Sequence, residues 1–225
     1  MPRPPRLVFA GEYYHVLNRA NRKAEVFHSP TDYHAFVHLI GKAQLRLHMP
    51  LIGLCLMPNH VHFVVRPDAS TDLARWMQWL FATHASHYHK KYATTGHVWQ
   101  GRYKHVPVQS DHHLLTLLRY VERNALRAKL VPRAESWRWG SLNWRVRENP
   151  LGALAPPPMA LPTWWAEFVN APQTAAELEA IRMSINRQRP FGDEAWVKEK
   201  ARSSKLGQSL GVVGRPGRNS SGPIC

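Results

Sequence analysis

Residues Tyr13 to Leu17 alternate about a two-residue period and are rich in Tyr and Val, which predicts a first strand. Ser29-Pro30-Thr31-Asp32 offers helix-capping chemistry. Phe36, Val37, Leu39, Ile40, Ala43 and Leu47 follow at helical spacing, so a helix is expected to about His48. Leu51 to Leu56 and His60 to Arg66 are apolar runs of strand length. Met57-Pro58-Asn59 divides them, and because proline cannot donate to a central ladder a tight connection is expected there. Leu73, Met77, Leu80, Phe81 and Ala85 share a face of a second helix from about Asp72 to Lys91. Gly96 to Tyr103 reads as a loop and Val106 to Val108 as a short strand. Asp111 caps a third helix expected to reach about Leu130.

The first six of these elements follow the order strand, helix, strand, strand, helix, strand. That order fits an α+β class: a ferredoxin-like split βαβ antiparallel sheet with helices on one face. Residues 1–147 form one expected domain. Residues 148–165, with Pro150, Pro156, Pro157, Pro158 and Pro162, read as a stiff linker. Residues 166–206 form a small basic helical C-terminal extension, with helices expected over Glu177–Arg189 and Asp193–Arg202. Residues 207–225, dominated by Gly, Ser, Arg and Pro, are expected to be disordered.

Charge changes the picture. Lys and Arg total 30 against 15 Asp and Glu, a net charge of +15, and such a surplus implies an anionic partner. An anionic membrane surface and nucleic acid are the two common candidates. No run of about 18 apolar residues is present to span a membrane, and Met1 to Gly11 lacks the apolar stretch of a secretory signal. The expected partner is therefore nucleic acid and the expected location the cytoplasm. Cys55 and Cys225 are the two cysteines, one in an apolar strand and one terminal, so no structural disulfide is expected.

Two clusters carry candidate chemistry. In Asn59-His60-Val61-His62-Phe63 the histidines are two apart on a strand, so they project together while Val61 packs on the other side. Such a pair can share a metal, or it can lie on a solvated or aromatic-stacked face. On the third helix Leu114, Leu117, Leu118, Val121 and Ala125 form an apolar stripe, with Tyr120 and Asn124 together at its edge. An edge tyrosine suits a nucleophile and equally suits an amphipathic core residue with a wet hydroxyl. His87 and His89 diverge on the second helix, whereas His84 and His87 could pair on a solvated or DNA-facing surface. Trp99, Arg102, Tyr103 and Lys104 interleave aromatic and basic groups as single-strand binding surfaces do, and Arg19, Arg22 and Lys23 follow the first strand. From Arg182 onward nine Lys or Arg face three acids.

The strand His60-Val61-His62, the loop Val98-Trp99-Gln100-Gly101-Arg102-Tyr103-Lys104, the helix Arg119-Tyr120-Val121-Glu122-Arg123-Asn124 and the later Trp137-Arg138-Trp139 occur in that order. Together they resemble the IS200-like, single-tyrosine histidine–hydrophobe–histidine transposases, most nearly the REP-associated tyrosine transposases. The resemblance covers roughly Pro2 to Trp144, with the segment Arg189 to Val197 similar to the C-terminal part of some members. It implies a divalent cation, Mg²⁺ or Mn²⁺, on His60, His62 and Asn124. It also implies attack by Tyr120 on a phosphate of single-stranded or hairpin DNA, giving a 5′-phosphotyrosine, with Tyr103 the rival nucleophile. Arg19, Arg22, Lys23, Trp99, Arg102, Lys104 and Arg127 are the expected DNA contacts, and a homodimer is a possible assembly. Many relatives carry Asn-Pro-Val-Arg-Ala where this chain has Asn124-Ala125-Leu126-Arg127-Ala128, so a straighter helix is expected here. Two other readings use the same residues. One is a noncatalytic DNA- or RNA-binding module; the other is a zinc hydrolase drawing a third ligand from His105, His112 or His113.

Overall fold

The computed structural model describes residues 7–147, 149–152 and 154–211. Strands β1 (Tyr13–Arg19), β2 (Leu51–Met57), β3 (His60–Val65) and β4 (Lys104–Val108) form an antiparallel sheet in the order β2-β3-β1-β4. With helices α1 (Pro30–Arg46) and α2 (Asp72–Tyr92) this is the ferredoxin-like α+β plan.

The alternation of the strands sorts side chains to two cores. On one face α1 and α2 lay Phe36, Ile40, Leu73, Trp76 and Leu80 against Tyr14, Val16, Leu54 and Phe63. Asp32 fixes the start of α1 by accepting from the backbone N–H of His28 and Ser29, both at 2.9 Å. Its other oxygen accepts from Lys91 at 2.5 Å and Tyr92 at 2.9 Å, which ties α1 to the end of α2. The opposite face is also covered. Helix α3 (His112–Glu122) packs Leu114, Leu117, Leu118 and Val121 on Ile52, Val64, Val106 and Val108. A register shift between Leu51 and Gly53 turns β2 there, and a Cβ on Gly53 would stand 2.3 Å from Leu118 Cδ1. Glycine is what lets α3 approach so closely.

The third helix differs from its expected straight course to Leu130. It is interrupted at Arg123, resumes as the one-turn α4 (Asn124–Arg127), and ends where Lys129 turns left-handed at φ 59°. Arg119 donates to the carbonyls of Ala171 (2.8 Å) and Pro172 (3.0 Å), and Arg123 to those of Val169 (3.0 Å) and Asn170. The Arg123 guanidinium thus serves the last carbonyls of α6 (Trp165–Asn170), a helix the sequence pattern did not reveal, and that of Arg119 the two residues after it.

The remaining helices are α5 (Ser141–Val146), α7 (Ala175–Arg187) and α8 (Glu194–Ser203). Chain that follows α4 seals both sheet edges. Along β2, Leu56 N–H donates to Trp139 O, Leu54 N–H to Ser141 Oγ and Ala155 N–H to Leu51 O, at 2.9 to 3.0 Å. Along β4, Phe191 N–H donates to Pro107 O and Gln109 N–H to Phe191 O, both at 2.9 Å. Gly207–Leu210 forms a short turn where disorder was expected, and the rest of that expected tail, residues 212–225, lies outside the described residues. Cys55 is buried and free, and Cys225 lies outside the described residues. Among the described residues no helix is long and apolar enough to cross a membrane.

A buried carboxylate holds this second layer. Glu122 accepts from Ser141 Oγ (2.6 Å) and Arg145 Nε (2.9 Å) on one oxygen and from Trp165 Nε1 (2.7 Å) on the other. Glu122→Ala strands all three donors, so we expect a loss of about 3–5 kcal/mol in stability. Urea unfolding checks it; a loss below about 1 kcal/mol would show that the layer is held by apolar contacts alone.

Candidate active site

Strand β3 is buried on both faces, and its pairing with β1 sets Arg19 opposite His60 and Leu17 opposite His62. Residues opposite each other share a face. His60 and His62 therefore stand on the α3 side with His15 and Arg19, while Val61 and Phe63 enter the α1–α2 core. The two rings meet edge to face with centroids 5.0 Å apart. His60 Nδ1 lies 2.7 Å from Asn59 Oδ1, and His62 Nδ1 lies 2.8 Å from His15 Nε2. Burial pushes His15 down to about 3. Burial, then the charges of Arg19 and Arg127, push His60 down to about 4. Burial and the neighbouring histidines and arginines hold His62 well below the usual histidine range. All three are thus neutral imidazoles near pH 7.

Tyr120 approaches from α3, with its ring edge-on to His62 at 6.1 Å. The Arg127 guanidinium lies 4.0 Å from the centre of the Tyr120 ring. Arg127 also donates to Asn124 Oδ1, while Asn124 Nδ2 is buried without a hydrogen-bond partner among the described residues. These residues line a cleft of about 440 Å³. Its walls carry Arg19, Arg102, Lys104, Arg127 and Arg182 and, among the described residues, neither Asp nor Glu. Burial, then Arg19, lowers the Lys104 pKa. A cleft of this kind is built for an anion.

The sequence-predicted residues do not all gather here. His60, His62, Tyr120, Asn124, Arg19, Arg102, Lys104 and Arg127 do. Arg22 and Lys23 are exposed in a 3-10 turn, at φ 54° and 58°, and Arg22 lines a different hollow beside Gly96 and Val98. Trp99 needs correcting as a surface stacking platform. It is 6% exposed, packs on Phe27, Phe36 and Phe81, and donates through Nε1 to His84 at 3.1 Å. His84 is buried with it rather than solvated. Tyr103 belongs to the α1–α2 core.

The zinc reading loses its third ligand. His105 lies opposite Val16 on the face away from His60, and its ring sits 5.9 Å from that of Tyr14. His112 and His113 cluster with Asp111 at the start of α3, lining a hollow separate from this cleft. His15 turns its Nε2 to His62 rather than converging on a shared ion. Sequence reasoning missed His15, Gln100 and Asn186, and counted Arg182 only among the basic residues of the C-terminal region. His15 had the right period on β1, but only the pairing of β1 with β3 shows its neighbour. Arg182 and Asn186, four apart on α7, form one helical stripe that points into the cleft.

A family model described as "Transposase IS200 like" matches residues 9–124. Among solved structures the chain is similar to a REP-associated tyrosine transposase bound to a REP hairpin. The TM-score is 0.54 and the identity 16%, over 77% of this chain and 99% of that one. It is also similar to a Deinococcus radiodurans R1 protein named as a candidate transposase, with a TM-score of 0.38 and 16% identity, over 54% of this chain and 96% of that one. No curated protein matches the chain.

The burial of Trp99 generates a test. Trp99→Ala removes a core side chain, so stability should fall by about 3–5 kcal/mol. Urea unfolding measures it. A folded, fully stable Trp99→Ala protein with weakened oligonucleotide binding would restore the surface role.

Proposed function

The chain belongs to the IS200-like transposase family, and on that premise we propose that it cuts and rejoins single-stranded DNA with Tyr120 as nucleophile and a divalent cation on His60 and His62. The observation that carries this reading is the convergence of Tyr120, Asn124, His60 and His62 in one cationic cleft that, among the described residues, holds no carboxylate. Hairpin DNA as the substrate is supported by the similar structure, which is bound to a REP hairpin.

The residues fit a divalent cation. Each histidine has Nδ1 engaged by the protein, which leaves Nε2 for an ion, and neutral imidazoles are what such an ion requires. Asn124 Oδ1 already accepts from Arg127, and its second lone pair suits a third ligand. When bound, Mg²⁺ or Mn²⁺ would polarise a non-bridging oxygen of the scissile phosphate. The chain's own groups do the rest. Arg19, Arg102, Lys104 and Arg182 would hold the strand's phosphates. Tyr120 Oη would attack phosphorus and lose its proton, as the P–O bond to the 3′-oxygen breaks and that oxygen takes up a proton. The Arg127 guanidinium beside the ring supplies positive charge where negative charge develops. A 5′-phosphotyrosine retains the bond energy for rejoining to another 3′-hydroxyl. Tyr120 and the histidines share one cleft of a single chain, so no homodimer is needed to complete it.

Tyr120→Phe should abolish cleavage of a labelled hairpin while changing stability by less than about 1.5 kcal/mol. Wild type should carry the 3′ fragment covalently through SDS, with the adduct mapped to Tyr120. An adduct on Tyr103 would refute the residue, and cleavage without an adduct would favour water as nucleophile.

Arg102→Ala with Arg182→Ala should lower the salt dependence of single-strand binding by roughly one to two phosphates, at a slope of about −0.7 each. An unchanged slope in fluorescence-anisotropy titrations would remove these two arginines from the DNA path.

A further inference from the structure

A metal takes a lone pair from imidazole, so the tautomer of each histidine decides whether Nε2 can bind. For His60 the chemistry leaves one choice. Asn59 Nδ2 donates to the Lys23 carbonyl at 2.9 Å, which fixes the amide so that Oδ1 faces His60 Nδ1 at 2.7 Å. An amide oxygen only accepts, so His60 carries its proton on Nδ1 and keeps the Nε2 lone pair.

His62 faces another histidine instead. His15 Nε2 lies 2.8 Å from His62 Nδ1, the rings are within 4° of parallel, and the side chains are 2% and 3% exposed. Two arrangements satisfy that contact. If His15 donates, His62 holds its proton on Nε2 and cannot bind an ion through it. If His62 donates, His15 accepts and the His62 Nε2 lone pair is free. We infer that His15 is a positioning residue that accepts from His62 Nδ1–H and, with Asn59, presents the Nε2 lone pairs of both histidines to the cleft. The inference rests on the reading that His60 and His62 hold a divalent cation. Strand geometry makes the device rigid: His15 follows the alternation of Leu17 and Arg19 on β1, one pleat beyond the residue opposite His62. Partners of this kind orient ligating imidazoles in metal sites generally.

The full chain labelled with ¹⁵N-histidine tests this without metal. Long-range ¹H–¹⁵N spectra of wild type should show His60 and His62 both protonated on Nδ1. His15→Phe, which keeps a ring and loses the acceptor, should disturb the His62 pattern and leave that of His60. Mn²⁺ titrations by electron paramagnetic resonance, with a single-stranded oligonucleotide present, should show His15→Phe binding 10- to 100-fold more weakly. His15→Gln, which restores an acceptor near the Nε2 position, should bind within about three-fold of wild type. A wild-type His62 protonated on Nε2, or His15→Phe binding Mn²⁺ like wild type while His60→Ala does not, overturns the role of His15. His60→Ala binding Mn²⁺ as tightly as wild type overturns the metal reading itself, and this inference with it.

Discussion

The structure turns on the register of β3 against β1. Both strands lie inside the sheet, and β3 is buried on both sides, so a one-residue slip would drive His60 and His62 into the α1–α2 core and expel Val61 and Phe63. Apolar burial at roughly 25 cal/mol per Å² makes that slip prohibitive for two large core side chains. The same lock decides which residues share the cleft. Arg19 and His15 stand beside the histidines because β1 runs antiparallel in this one register, and Tyr120 meets His62 because α3 lies across the face they occupy. Hydrophobic packing thus does the positioning, and the polar groups ride on it.

The second layer serves the fold and the site together. A four-stranded sheet left with bare edges would invite pairing with other chains. Here the backbone of Trp139, Ala155 and Phe191 occupies those edges. The segments that perform this sealing also carry α7 to the cleft, where Arg182 and Asn186 form its far wall. Glu122 sits between the two tasks. It belongs to the helix that bears Tyr120, and it is hydrogen-bonded to the helices α5 and α6 that follow.

The sheet and its first two helices were legible because their patterns are local. Period two and period 3.6 are written into Tyr13–Leu17, His60–Val65 and the stripe from Phe36 to Ala43, and the element order then restricts the topology. The His60–His62 pair was legible for the same reason. What escaped was non-local. His15 is one of 14 histidines, and its partner is 47 positions away, a relation that depends on strand register and not on spacing. Trp99 looked like an exposed loop aromatic because its neighbours are Gln100, Gly101 and Arg102. Its ring is claimed by Phe36 and Phe81 from helices the loop crosses. The arginines of the third helix escaped as well, because Arg119 and Arg123 donate to carbonyls near residue 170. Local pattern encodes which face of an element is apolar. It does not encode which distant backbone group will claim an arginine.

The cleft is closed by α7, whose cleft-lining residues Arg182 and Asn186 come more than 60 positions after Tyr120, and this has a consequence for how the protein is made. Synthesis runs from the N-terminus, and earlier parts can fold as they emerge. The sheet, the histidines and Tyr120 therefore leave the ribosome before Arg182 and Asn186 exist, and so does β4, before Phe191 arrives to cover its edge. For that interval the growing chain bears an open strand edge and an unfinished cleft wall. Completion of the chain beyond α6 covers the open edge of β4 and, in the same event, finishes the wall of the cleft.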